Sequence, residues 1–422
     1  MPSSSENARQ FLRGLDEAGM LGHLSAPPTI DEVAARVGTA TRVDRHAIER
    51  RWGLLGASAD ARDQLLDEQT AASAEAYSSN IENFIGTVKL PIGLAGPLRV
   101  NGLHAQRDYY VPLATSEAAL VASYTRGAQI ITEAGGCTAA VINTGVGRSP
   151  VFVFDSMQQS GQFILWVTQQ IDSFKTIADA TTRYGKLRDV KITMAANLVF
   201  LLLEYTTGDA AGQNMVTIAT EAVCRYIEAS SPVTPKQWFV EGNMSGDKKA
   251  SSQSFQSVRG RKVTAEVVLP SELVRRRLRV EPQRMVDYYR VSSLGGVMSG
   301  NIGIQGHYAN GLAALFIATG QDAACVAEAA VGITRMDVRE DGALQASVTL
   351  PNLIVGTVGG GTKLPSQAAC LQLLGLCGPG HANALAEVTG ALVLAGELSI
   401  IAALAAGQFA RAHEKLARGK PS

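Results

Sequence analysis

Cysteine is scarce in this chain. Its 422 residues carry five, Cys137, Cys224, Cys325, Cys370 and Cys377. None forms a C-x-x-C pair, and none is spaced with the six histidines as a metal site requires. This argues against a disulfide scaffold and against a bound metal. The thiols read as small core residues in a reducing compartment, none of them a nucleophile. Net charge is absent as well: 38 basic residues balance 38 acidic ones. That argues against a nucleic-acid surface as the main function. Charged residues make up only 18% and hydrophobic ones 46%, which excludes an extended disordered chain. The first residues lack the basic stretch and apolar core of a signal peptide. One long apolar run, residues 389–410, holds Glu397, Ser399 and several glycines, and so suits a buried helix better than a membrane span. The expectation is a soluble, cytoplasmic protein.

The length allows two or three domains with a sizeable core. Residues 1–85 are polar and helix-prone, with a helix start after Thr29 and helices over 44–55 and 61–77. They read as a helical N-terminal arm. Residues 90–97 are punctuated by Gly and Pro and resist regular structure. A short strand is expected at 109–112 and a helix at 116–133, capped by Ser116. Residues 149–239 alternate between types. Strands are expected at 151–154, 163–167, 190–195 and 198–205, and helices at 172–181 and 215–228. This pattern predicts a small α/β domain inserted into a larger one, formed by 86–148 and 251–422 and joined through a loop at 240–250. Helices are expected at 305–319 and 381–408, with strands between them at 346–350 and 353–358. The fold class is α/β (α+β), helix-rich.

Glycine is abundant, with 42 residues, and several loops use it in a way that suits a ligand. Gly208-Asp209-Ala210-Ala211-Gly212-Gln213-Asn214-Met215 leads from a strand into a helix and leaves backbone amides free for an anion, though such a turn often carries Gly for geometry alone. Gly356 to Thr362 holds three successive glycines and reads either way too. Gly145-Val146-Gly147-Arg148-Ser149-Pro150 fails as a dinucleotide fingerprint, because Pro150 stands where the third glycine belongs. Glu117 lies among small apolar residues. It is either a helix-dipole partner or a partly buried proton donor. Lys248 and Lys249 follow Asp247 on a Gly/Ser-rich loop. A lysine held by carboxylates stabilises a carbonyl oxygen that gains charge, whereas a solvated charge cluster does nothing. Asp322 is either that partner or a helix cap, and His413 reads equally as a dipole partner.

Taken together, Glu82 to Gly86, Ala114 to Glu117, Gly208 to Met215, Asp247 to Lys249, Gly320 to Ala324, Gly356 to Thr362, Ala395 to Ser399 and Ala412-His413 resemble segments of the 3-hydroxy-3-methylglutaryl-CoA (HMG-CoA) reductase family, in its eukaryotic and archaeal form. The resemblance covers residues 80 to 420. It implies a large acyl-CoA-binding domain, an inserted ferredoxin-like cofactor domain, and two-step reduction of a thioester to an alcohol with NADPH. It implies Glu117, Lys248, Asp322 and His413 as catalytic residues. Thr182, Arg183, Tyr184, Asp209, Ala210, Gly212, Asn214 and Met215 would bind the cofactor. Ser123, Arg126, Arg148, Asn243, Asp247, Lys249, His307 and Asn310 would bind the acyl-CoA. A homodimer, or a dimer of dimers, with sites between subunits is also implied.

Two departures bear on the acyl group. Glu241 stands where the family often has serine, and Val291, beside Arg290, stands where the resemblance places a carboxylate-binding lysine. The rival expectations are a reductase of another acyl thioester and a non-catalytic protein that binds NADPH or CoA.

Overall fold

The computed structural model describes residues 4–17, 35–37 and 43–407. Contacts divide the chain into two units, residues 1–87 and 88–422. The first unit is helical: α1 Ser4–Glu17, α2 Arg45–Gly53, α3 Ala59–Leu65, α4 Glu68–Ala72 and a 3-10 turn at Ala74–Tyr77. Asp44, Ser58 and Asp67 each accept a hydrogen bond from the backbone three residues on, which starts α2, α3 and α4. Asp67 restarts the chain in this way, so the expected helix over 61–77 is three short pieces. Val43, Ile48, Trp52, Ala74 and Phe84 form a small core. The helix start expected after Thr29 lies outside the described residues.

The second unit is built on one sheet of ten strands. In chain order its elements are β1 Ile92–Gly102, β2 Gln106–Ala114, α5 Leu120–Glu133, β3 Cys137–Arg148, β4 Val151–Val153, α6 Met157–Gln169, α7 Ile171–Thr181, β5 Lys186–Ala195, β6 Leu198–Thr206, α8 Gln213–Ser230, β7 Gln237–Phe239, β8 Gly260–Leu269, α9 Ser271–Leu278, α10 Pro282–Ser299, α11 Tyr308–Thr319, α12 Val326–Ala329, β9 Ile333–Val338, β10 Leu344–Leu353, α13 Pro365–Leu373 and α14 Ala382–Ala405. Strand β3 joins two layers. Its residues 138–145 pair antiparallel with β8, and its last three, Val146 to Arg148, pair with β6. Strands β10 and β9 extend the first layer. In the second layer β7, β4, β6 and β5 lie in that order, all antiparallel, with α6, α7 and α8 between them in sequence. This is the β-α-β-β-α-β arrangement of ferredoxin-like folds.

Each layer has its own core. One gathers Phe152, Phe163, Phe174, Leu201, Val216 and Val223. The other packs β1, β2, β8 and β10 against α5, α11 and α14. Helix α14 is long and apolar enough to cross a membrane by composition, but 89% of its most apolar window is buried inside the protein. Its two fully buried acids explain themselves. Glu387 accepts hydrogen bonds from the backbone N–H groups of His104 and Ala105, and Glu397 from those of Gly306 and His307 and from the Thr334 hydroxyl.

Several elements differ from expectation. Residues 163–167, expected as a strand, lie inside α6. A short apolar run cannot be told from a helix by its periodicity, and Ser156 caps the helix here while Phe163 and Val167, four apart, face the core. Residues 92–97, expected to be irregular, open β1, whose register shifts between Ala95 and Leu98 around Pro97. The strand expected at 346–350 lies inside β10, which ends at Leu353, so residues 354–358, expected as strand, are irregular. The helix expected from Ser116 begins at Leu120. Ala119 has φ of 70°, and Thr115 Oγ1 accepts from the Glu117 N–H, so the chain turns before it coils.

Candidate active site

Three groups of side chains gather the residues singled out from the sequence. The first sits where β3 passes between the layers. Lys248 Nζ and an Asp322 carboxylate oxygen are 2.8 Å apart, and both side chains are more than 40% exposed. The hydrogen bond to Asp322 holds the ammonium above its ordinary pKa. Behind this pair lies a buried network. Asp247 receives Arg148 at 3.0 Å and also the guanidinium of Arg259. Burial alone would raise the pKa of Asp247, but Arg259 and then Arg148 outweigh it and hold the acid below its ordinary value. Arg148 also meets Glu241 at 3.3 Å, and Ser245 donates to that same Glu241 oxygen at 2.9 Å. The other Glu241 oxygen and Arg148 Nε are buried without a protein partner. Lys249 is exposed and returns its ammonium to the Asp247 carbonyl. Asn243 is exposed, with φ of 65°.

The second group lines a cleft of about 460 Å³ between the loop before α5, the first turns of α5 and the end of α14. Glu117, Ser123, Arg126, His307 and Asn310 all face it. Ser123 and Arg126 share the Ser399 hydroxyl, at 2.8 and 2.9 Å, and burial lowers the guanidinium's pKa. His307 stacks on Tyr124 and shares a hydrogen bond with the Gly396 carbonyl. Asn310 reaches Glu117 at 3.4 Å. Glu117 reads from the sequence either as a helix-dipole acid in a first turn or as a partly buried proton donor. It is exposed at the cleft edge, because the turn at 115–119 lifts it clear of α5. Asp322, expected beside the lysine among buried carboxylates, is exposed too. Its carboxylate also caps the next 3-10 turn at Ala324 N, so Asp322 is at once the ion-pair partner of Lys248 and a cap. Among the described residues, no hydrogen bond or ion pair joins this cleft to the Lys248–Asp322 pair.

The third group surrounds the loop from β6 to α8. Gly212, at φ of 78°, precedes α8, and a Cβ there would overlap Thr207. Met215 sulfur accepts the Thr182 hydroxyl, which brings residues 182–184 against the first turn of α8. Arg183 and Tyr184 are exposed beside it, and Asn214 is exposed on α8. Ala210 offers its carbonyl to the Thr207 hydroxyl. Asp209 is used within the fold. Its carboxylate accepts from Gly380 N and Ala382 N at the start of α14. The Gly356–Thr362 loop packs directly on this segment, since a Cβ on Gly356 would meet the backbone of Ala210 and Ala211. Thr357 Oγ1 is buried there without a protein partner. A left-handed glycine before the N-terminus of α8, two glycine close approaches and an orphaned hydroxyl suit the phosphates of a nucleotide.

His413 lies outside the described residues. Sequence reading missed Arg259, Glu328 and Gln213, which meet behind the Lys248–Asp322 pair, Gln321, which bonds both backbone groups of Gly356, and Arg261, which donates to the Gly208 carbonyl. One signal was available for two of them. Arg259 and Arg261 share the parity of Val263, Ala265 and Val267, which is the buried face of β8. Burial pulls the Arg261 guanidinium down to about 10, and the nearby Asp209 opposes it.

The profile of the hydroxymethylglutaryl-coenzyme A reductase family matches residues 47–418. A protein of Aeropyrum pernix named 3-hydroxy-3-methylglutaryl-coenzyme A reductase is 43% identical over 427 residues, covering 99% of both chains. One of the same name from Methanothermobacter thermautotrophicus is 41% identical over 91% of this chain and 94% of its own. Among solved structures, the class II 3-hydroxy-3-methylglutaryl-CoA reductase of Streptococcus pneumoniae bound to NADPH matches with a TM-score of 0.63 at 22% identity. It covers 84% of this chain and 96% of that one, and carries the likeness of fold alone.

Proposed function

Since the chain belongs to the hydroxymethylglutaryl-coenzyme A reductase family, we propose that it reduces HMG-CoA to mevalonate and free CoA with NADPH. The observation that carries this reading is the Lys248–Asp322 pair, backed by the buried Arg148–Asp247 bridge.

The ferredoxin-like layer, residues 149–239, is the cofactor domain in this reading. Residues 86–148 and 251–422 form the acyl-CoA domain, and 240–250 the catalytic loop. Thr182 to Tyr184, the loop Asp209 to Met215 and the Gly356–Thr362 loop would hold the nucleotide, and two NADPH binding in turn would each supply one hydride. Lys248 stabilises the oxyanion that forms when the thioester carbonyl carbon gains hydride, and Asp322 keeps that lysine charged and placed. The hemithioacetal loses CoA as thiolate, and His413 protonates the sulfur. The aldehyde gains the second hydride, and Glu117 delivers a proton to its oxygen. Two hydrides and two protons account for one alcohol and one thiol. Ser123 and Arg126 suit the CoA phosphates, since a guanidinium forks onto them. Arg148, Asn243, Asp247, Lys249, His307 and Asn310 suit the acyl group.

A homodimer follows from the same reading. Among the described residues no hydrogen bond or ion pair links the Glu117 cleft to the Lys248–Asp322 pair, and a site shared between subunits would bring one of each together. A second reading, a different acyl thioester, is favoured by Glu241, which already occupies Arg148.

The test is a set of acyl-CoA thioesters followed by NADPH absorbance, with thiol release measured in parallel. HMG-CoA should consume two NADPH per CoA freed. Faster turnover of uncharged acyl-CoAs of similar size would favour the second reading, and no turnover of any thioester would overturn both.

A further inference from the structure

The catalytic loop has no regular structure, yet it must hold an exposed lysine against an exposed aspartate on another segment. Exposed pairs of this kind hold themselves poorly. What fixes them lies behind. Arg259 is 3% exposed, and its guanidinium reaches four segments at once. It bonds Asp247, the residue before Lys248. It meets Glu328 at 2.5 Å, six residues beyond Asp322 and fully buried. It donates to the Gly147 carbonyl at 2.7 Å, beside Arg148. It donates to Gln213 at 2.9 Å, in the first turn of α8. The segments carrying Lys248, Asp322, Arg148 and the nucleotide loop therefore share one rigid planar fork.

We infer that Arg259 is a positioning residue, which sets Lys248 against Asp322 through Asp247 and Glu328. The inference rests on the proposed role of that pair. It assigns Arg259 no contact with substrate. Lysine cannot replace it, because an ammonium lacks the fixed fork that spans Asp247 and Glu328 together.

The experiment is a double-mutant cycle on the full chain, with turnover expressed per folded active site. Arg259→Lys should lower kcat about a hundredfold, the order of loss that follows a displacement of about 1 Å in a catalytic group. In an Asp322→Asn background the same change should cost less than about threefold, because the pair it serves is already broken. A merely structural arginine would cost the same factor in both backgrounds, and that result would overturn the inference while the role of the pair survived. Full turnover in Asp322→Asn alone would remove the pair's role and the inference with it. Loss of one member of a buried ion pair can unfold a protein. If Arg259→Lys does not fold, Glu328→Gln, which keeps the side chain's shape, is measured in the same two backgrounds with the same outcomes decisive.

Discussion

Replacing Lys248 by glycine should separate stability from catalysis. Lys248 has φ of 56°, in the left-handed region where an L side chain costs about 1–2 kcal/mol. Glycine removes that cost but loses about 0.5–1 kcal/mol to its freedom in the unfolded chain. The ion pair with Asp322 is more than 40% exposed on both sides, so its loss costs only about 0–1 kcal/mol. These contributions leave the folded state within about 1.5 kcal/mol of the wild type. Turnover should fall by about 10²–10³, or roughly 2.7–4 kcal/mol, because an oxyanion donor acts where charge develops. Lys248→Ala keeps the backbone strain and should be slightly less stable than Lys248→Gly, with the same loss of rate. The pair also fixes a pH dependence. Asp322 raises the lysine's pKa in the folded protein, so the pair's contribution is fully present below the unfolded lysine value of about 10.4 and is lost as pH rises through the higher folded value. Thermal unfolding at pH 7 and at pH above about 10.4, beside steady-state NADPH oxidation, measures all of this. Destabilisation of Lys248→Gly by more than about 2 kcal/mol, well outside the exposed-pair range, would make the lysine structural. Turnover within about tenfold of wild type would refute the oxyanion role.

Three further outcomes are expected. Gly127→Ala should destabilise the protein by about 1–3 kcal/mol or more, read by thermal unfolding, because the new Cβ would overlap the Ala395 carbonyl where α5 crosses α14. Glu241→Ser should lower the KM for HMG-CoA by roughly one to two decades and leave uncharged acyl-CoAs nearly unchanged, since it frees a charge-assisted donor on Arg148; an unaltered KM would show that Glu241 does not compete for that guanidinium. Arg183→Ala should raise the KM for NADPH and spare that for NADH, because a guanidinium forks onto a 2′-phosphate; equal losses with both cofactors would place Arg183 elsewhere.

The sequence alone determined the mixed class of the fold, and it singled out the candidate site segments. Asp247-Lys248-Lys249, Gly320-Gln321-Asp322 and the glycine loops are local signals, because a backbone that must approach a ligand or turn left-handed demands particular residues in a row. The buried character of α14 was legible as well, since an apolar run interrupted by Glu397 and Ser399 suits a protein interior. Of the N-terminal helices, the one expected over 44–55 is α2, whereas the caps at Ser58 and Asp67 that split 61–77 were not read.

Tertiary structure decided the rest. Whether the apolar run in α6 coils or extends depends on which neighbours bury Phe163 and Val167. Whether Glu117 is buried depends on a turn set by Thr115 and Ala119. Asp209 is a helix cap for α14 across 171 residues of chain, and nothing near it in the sequence says so. Glu328 looks like an ordinary surface charge when read in order, and the parity that puts Arg259 on the buried side of β8 does not name its partners. Only the meeting of β8, α12 and the loop at 240–250 removes water from both, and a charge without water must find its partner among the residues that displaced it.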